Sequence, residues 1–151
     1  MRNIGSHAGF TLIELIMVLV LAGVLAVFAA PKLFNTGDFY ALGFHDETLA
    51  LLRYAQKTAI AQRRPVCVTF GSATATLSMD SDRNSSTGPS GCESSLTAVH
   101  GGSIAARGTV QYSTLPATVV FDGLGQPSAG QTIQISGATN IVVEAATGYV
   151  H

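Results

Sequence analysis

The stretch FTLIELIMVLVLAGVLAVFAAP, residues 10–31, decides how this chain is read. Its one charge is Glu14. As a helix at 1.5 Å per residue it would run for roughly 33 Å, about the thickness of a bilayer's hydrocarbon core. Leu, Val and Ala fill it without alternation, which argues against a soluble amphipathic helix. Arg2 precedes the block and Lys32 follows it. By the positive-inside rule Arg2 puts the amino terminus on the cytoplasmic side of a single span.

A secretory signal peptide has a shorter apolar core and then a small-residue cleavage site. Here the run is too long, and Pro31 follows Ala29-Ala30 directly. The better cleavage position is Gly9-Phe10, between a short polar leader and the apolar block. Cutting there keeps the membrane helix and exposes a new amino group on Phe10.

Composition bounds the remaining classes. Of the 151 residues only 11% are charged, against about 25% in an ordinary domain, and the mean hydropathy is +0.37. Eight Lys and Arg face nine Asp and Glu. That near-zero net charge argues against a generally basic nucleic-acid-coating protein and against an acidic disordered tail. Two cysteines are too few for a disulfide scaffold or a four-thiolate zinc site.

Gly9-Phe10-Thr11-Leu12-Ile13-Glu14 resembles the class III signal of type IV pilins and of the pseudopilins of type II secretion. The resemblance implies that a prepilin peptidase cuts after Gly9 and N-methylates Phe10. Glu14 then falls at the family's glutamate, five residues into the mature chain, and Pro31 matches a Pro common at the end of the buried segment. The physical reading of Glu14 is compatible. A carboxylate one turn inside an apolar segment costs about 2.5–3.5 kcal/mol on insertion scales. The amino terminus of Phe10 on a neighbouring subunit is a cation that offsets this, and pairing would fix the axial register of a filament. The alternative is a Glu14 that reaches to the interface and does nothing specific.

Beyond the membrane block, Asn35-Thr36-Gly37-Asp38 and Gly43 predict a loosened stalk between about residues 35 and 45. Asp46-Glu47-Thr48 reads as a helix start. Leu49, Leu52, Ala55, Ala59 and Ile60, with Leu51 beside them, form the apolar stripe of an amphipathic helix that runs to about Arg64 and ends at Pro65. Strands are expected at 66–70, 74–79, 109–113, 118–121, 132–135 and 141–144, with turns at 122–125 and 137–140. Residues 80–103 form a Ser-, Gly- and Asp-rich excursion. Strands after a helix predict an α+β fold: a long N-terminal transmembrane and stalk helix, then an amphipathic helix packed on a mostly antiparallel β-sheet head. The expected organisation is a leader at 1–9, a membrane and filament-core helix at 10–31, a stalk and amphipathic helix at 32–64 and a β-rich head at 65–151.

This layout is similar to the GspH/FimT branch of the pilin superfamily. The matching stretches are 52–60 (LRYAQKTAI), Pro65-Val66-Cys67-Val68, 120–127 (VFDGLGQP) and the closing segment from Ile141 to Val150. The Arg53-Tyr54-Ala55-Gln56-Lys57 run particularly resembles minor pilins of mannose-sensitive haemagglutinin-type pili. The resemblance implies a structural, non-enzymatic minor pilin or pseudopilin of a type IV pilus or a type II secretion pseudopilus. It further implies a bacterial inner-membrane location with the head in the periplasm. The partners it implies are the prepilin peptidase, an inner-membrane assembly platform and other pilins.

Catalytic motifs are absent from the sequence: there is no G-x-S-x-G, H-E-x-x-H or phosphate loop, and no cofactor is expected. His45, His100 and His151 read as exposed loop or terminal residues, and His7 lies in the leader. With the head outside the cytoplasm, Cys67 and Cys92 read as an oxidised pair; two packed free thiols are the alternative. Asp80, Asp82 and Asn84 have the D-x-D-x-N spacing of a calcium loop. Ser85 and Gly91 stand where that loop needs Gly and Glu, so a solvated loop is the competing reading. Some members of this branch are DNA receptors with a basic tail. Residues 108–151 contain no Lys or Arg, and phosphate contact needs cations, so nucleic acid is disfavoured as a partner. The nearest basic pair, Arg63-Arg64, reads as a helix-end cap.

Overall fold

The structure is a computed structural model that describes residues 9–33, 36–80, 92, 94–96 and 102–151. The chain forms two compact units, Met1–Thr36 and Gly37–His151. The first carries α1, Leu12–Leu33. From Leu12 to Phe28 its side chains are exposed, all round the helix. Among the described residues no helix is long and apolar enough to cross a membrane.

All but the first residue of α2, Thr36–Gln62, belongs to the second unit. From Thr36 to His45 the expected loosening is not there, Asn35 lying outside the described residues, and Asp46 stands inside the helix rather than at its start. Ala41, Phe44 and Thr48 are buried together with Leu51, Leu52, Ala55 and Ala59. The core-facing stripe thus extends upstream of Leu49, and burial along it outweighs the roughly 0.5–1 kcal/mol that Gly43 costs a helix. Ile60, expected in the stripe, is 48% exposed. The helix closes through Arg63, which takes a φ of 51°, while the Arg64 amide donates to the Ala59 carbonyl at 3.2 Å. That is a Schellman-type end built without glycine, and Pro65 follows.

Strands β1 (Val66–Phe70) and β2 (Thr74–Met79) pair antiparallel from Val66↔Met79 to Phe70↔Ala75. β5 (Val119–Phe121) joins the other edge of β1. Two short strands share the outer edge of β2: β3 (Ser94–Ser95) at its end and β4 (Ser103–Ala105) at its beginning. β3 falls inside the Ser-, Gly- and Asp-rich excursion at 80–103, and β4 begins at its last residue. A second antiparallel pair, β6 (Gln131–Ile133) and β7 (Ile141–Val143), runs alongside residue Val150, which bridges to Val143. The expected strand at 109–113 is absent. Only Tyr112 makes a bridge there, to Ile135, and the segment divides its backbone bonds between two neighbours: the Tyr112 amide donates to the Ser72 carbonyl at 2.9 Å, and the Ser113 amide to the Gln134 carbonyl at 2.9 Å.

Val66, Val68, Ala75, Leu77, Val119 and Phe121 form one face of the sheet and share a single buried cluster with the α2 stripe, Ile133, Ile141 and Val150. Tyr112 enters this core between Phe44 and Phe70, at ring-centroid distances of 5.0 and 5.4 Å. The Thr48 hydroxyl donates to the Phe44 carbonyl at 2.8 Å. With its one proton so used, it accepts from the Tyr112 hydroxyl at 3.1 Å. Burial pushes the Tyr112 phenol up to about 12, with the Thr48 hydroxyl acting in the opposite direction.

Candidate functional site

The candidate site is the amino-terminal junction with the apolar helix behind it. Gly9 and Phe10 precede α1, and Phe10 is 82% exposed. Thr11 caps the helix: its Oγ1 accepts from the Glu14 amide at 3.3 Å, and its carbonyl accepts from the Leu15 amide at 3.2 Å. Thr11-Leu12-Ile13-Glu14 has the T-x-x-E composition of a capping box. The T-x-x-E spacing is the sequence signal for this cap. Glu14 is exposed in the first turn, where the helix dipole favours a carboxylate. The helix behind it shows no polar face, so in water it would leave a large apolar surface uncovered.

The exposed side of α2 is tied to the end of the chain by polar contacts. Arg53 Nε donates to the Val150 carbonyl at 3.0 Å. The Gln56 amide donates to the carbonyls of Gly125 and Thr147, both at 3.1 Å. Gly148, at φ +68°, lies against Gly125 and Gln56 so closely that a Cβ there would collide with the Gly125 carbonyl. The 122–125 turn forms as expected, with the Asp122 carboxylate accepting from the Leu124 and Gln126 amides at 2.9 and 2.8 Å. Its Gly123 sits 3.0–3.3 Å from the Arg63 backbone, measured from where a Cβ would be.

Cys67 and Cys92 are joined, with Cα atoms 6.1 Å apart. Cys67 lies in the central strand β1 and is buried, so the bond fastens the segment after β2 to the middle of the sheet. Of the calcium candidates, Asp82 and Asn84 lie outside the described residues. Asp80 is buried, and its amide donates to the Pro65 carbonyl at 3.0 Å. Among the described residues no group of three or more His, Cys, Asp and Glu side chains could hold a metal ion. His45 is not the loop residue expected. It lies on α2, its Nδ1 3.0 Å from Asp46 Oδ1 and its Nε2 3.3 Å from Thr139 Oγ1. His151 pairs with Glu144 at 3.3 Å and stacks on Tyr149.

Two family models match the chain. The Prokaryotic N-terminal methylation motif covers residues 5–30, which takes in Gly9, the capped start of α1 and most of its apolar run. The model described as Type II transport protein GspH covers residues 46–148, from α2 through the sheet to the closing segment. No curated protein and no solved structure matches. An apolar helix without a polar face, headed by a methylation motif and followed by an α+β head matched over most of its length, places the chain in the pilin and pseudopilin superfamily as a GspH-like minor pilin: it belongs to the GspH family.

Proposed function

We propose that this protein is a structural minor pilin or pseudopilin, cut after Gly9 by a prepilin peptidase and N-methylated on Phe10. The observation that carries this is the coincidence of the methylation motif with a helix that starts beside Gly9 and exposes apolar side chains all round. α1 anchors the chain in the bacterial inner membrane with a single pass, and the head stands in the periplasm. The disulfide is consistent with that compartment. On extraction, α1 packs among the helices of other pilins, and Glu14 pairs with the amino terminus of a neighbour. The assembly platform and the other pilins are the partners. Intact-mass analysis of membrane-extracted protein tests the reading: the expected chain begins with N-methylated Phe10, and an uncut Met1 refutes it. The rival reading, a FimT-like DNA receptor, predicts salt-dependent retention of DNA by the head; the cation-free stretch 108–151 argues against it.

A further inference from the structure

The first turns of α2 and the segment after β4 enclose a cleft of about 160 Å³. Phe39, Tyr40, Gly43, Phe44 and Glu47 line it from the helix, and Arg107 lines it from the other side. Sites for drug-sized ligands begin at about 300 Å³, so this cleft suits a small group. Its walls are held from behind. Phe44 is fixed in the core against Tyr112. A Cβ on Gly108, at φ +65°, would stand 3.4 Å from the Tyr40 ring, so the backbone beside Arg107 lies close against Tyr40.

The lining has a mixed chemistry: three aromatic rings, one carboxylate and one guanidinium. Among the described residues neither Glu47 nor Arg107 has an ion-pair partner, so each is open to a ligand. A purely anionic group would meet Glu47, and a purely cationic one would meet Arg107. A group carrying both charges suits the pair, with its anion on the guanidinium fork and its cation on the carboxylate and the ring faces. We infer that the cleft takes the zwitterionic headgroup of a membrane phospholipid, with its phosphate on Arg107 and its ammonium on Glu47. Two observations favour a lipid over a dissolved zwitterion. Phe39, at the cleft, is 76% exposed and Leu42, one turn on, 53%; such an apolar lip enters the boundary between headgroups and acyl chains. Phe39 also follows the end of α1 at Leu33 by only six residues. Three extended steps and one helical turn keep it within about 15 Å of that end. The inference rests on the membrane-anchored reading of α1 given above.

The sequence contains no Trp, so Phe39→Trp in the full chain supplies a single indole at the lip. The chain is reconstituted in vesicles made mostly of phosphatidylethanolamine, in vesicles of phosphatidylglycerol alone, and in detergent. Interfacial side chains sit about 5–10 Å into the headgroup and acyl boundary. In the first vesicles, therefore, the emission should shift to the blue, and lipids brominated near the top of the acyl chain should quench it. Adding Arg107→Glu should lower that quenching about two-fold or more, and Arg107→Lys should retain it. Glu47→Gln should remove the difference between the two lipids. Equal quenching in the two lipids, or quenching unchanged by Arg107→Glu, overturns the inference. So does a blue shift that grows with protein concentration, which marks a protein partner, or one reproduced in detergent by soluble phosphorylethanolamine, which marks a dissolved ligand. Each of these leaves the proposed function standing if the chain stays with the vesicles through a carbonate wash. A chain that the wash removes overturns both.

Discussion

Removing the Tyr112 hydroxyl should destabilise the head at neutral pH and cease to do so at alkaline pH. Tyr112→Phe keeps the ring against Phe44 and Phe70 and deletes only the bond donated to Thr48. A net hydrogen bond is worth about 1 kcal/mol, so the variant of the head, residues 37–151, should be less stable by about that much at pH 8. The pH dependence follows from the burial of the phenol. In the unfolded chain Tyr112 loses its proton near 10, whereas in the folded head it holds it to about 12. The stabilisation is therefore whole below about pH 10 and is lost as pH rises through 10 to 12, by about 1.4 kcal/mol per unit. The Phe variant lacks this group, and every other titrating side chain cancels in the difference. Urea unfolding of both proteins at steps from pH 8 to pH 11 measures it. The wild-type advantage should hold to about pH 9.5 and be close to zero by pH 11. An advantage that stays constant across that range would refute the account of Tyr112 as a buried, proton-retaining donor. Thr48→Val gives a second check: it strands the Tyr112 hydroxyl in the core and should cost about 1–3 kcal/mol, and adding Tyr112→Phe to it should cost less than Tyr112→Phe alone.

Reducing the Cys67–Cys92 bond, which spans 25 positions of sequence, should destabilise the head by about 3 kcal/mol on the chain-entropy account, and limited proteolysis should then cut first between residues 80 and 101. Glu14→Ala should still insert in the membrane, because it removes an intramembrane charge, yet be depleted from sheared filaments; wild-type amounts there would count against pairing with a neighbour's amine. Gly148→Ala places a Cβ on the Gly125 carbonyl at a positive φ, and should cost about 2 kcal/mol or more in urea unfolding of the head.

What the sequence disclosed followed from where one local pattern dominates. β1 and β2 were legible to the residue because β1 is a short, almost wholly apolar run and β2 alternates, Gly71-Ser72 separates them, and Pro65 blocks the helix. α2 was legible only from Asp46 onward. Gly43 and the Asp46-Glu47 pair mimic a helix start, and the burial of Ala41 and Phe44 that overrides them depends on strands distant in sequence. β3 and β4 carry too few apolar residues to announce themselves; Ile104 is the one buried side chain of β4, and pairing to β2 makes the strand. Thr109-Val110-Gln111-Tyr112 has strand-like alternation, yet its backbone bonds go in turn to Ser72, Gln134 and Ser136 rather than along one partner strand, with the Tyr112 ring seated in the core. At the candidate site the N-terminal methylation motif itself was legible. The polar ties of Arg53 and Gln56 to the closing segment were not, since each reaches across 69 to 97 positions.

The cap at Thr11 also bears on how an enzyme reaches the junction. Peptidases bind the residues around the bond they cut as an extended strand, and a helix running through that bond would first have to be melted. α1 begins at Leu12, so Gly9 and Phe10 already lie outside it. The hydroxyl that halts the helix lies on the far side of the proposed Gly9-Phe10 cut. Cleavage there would therefore sever no hydrogen bond of α1, and the trimmed chain would retain its stop one residue from its new end.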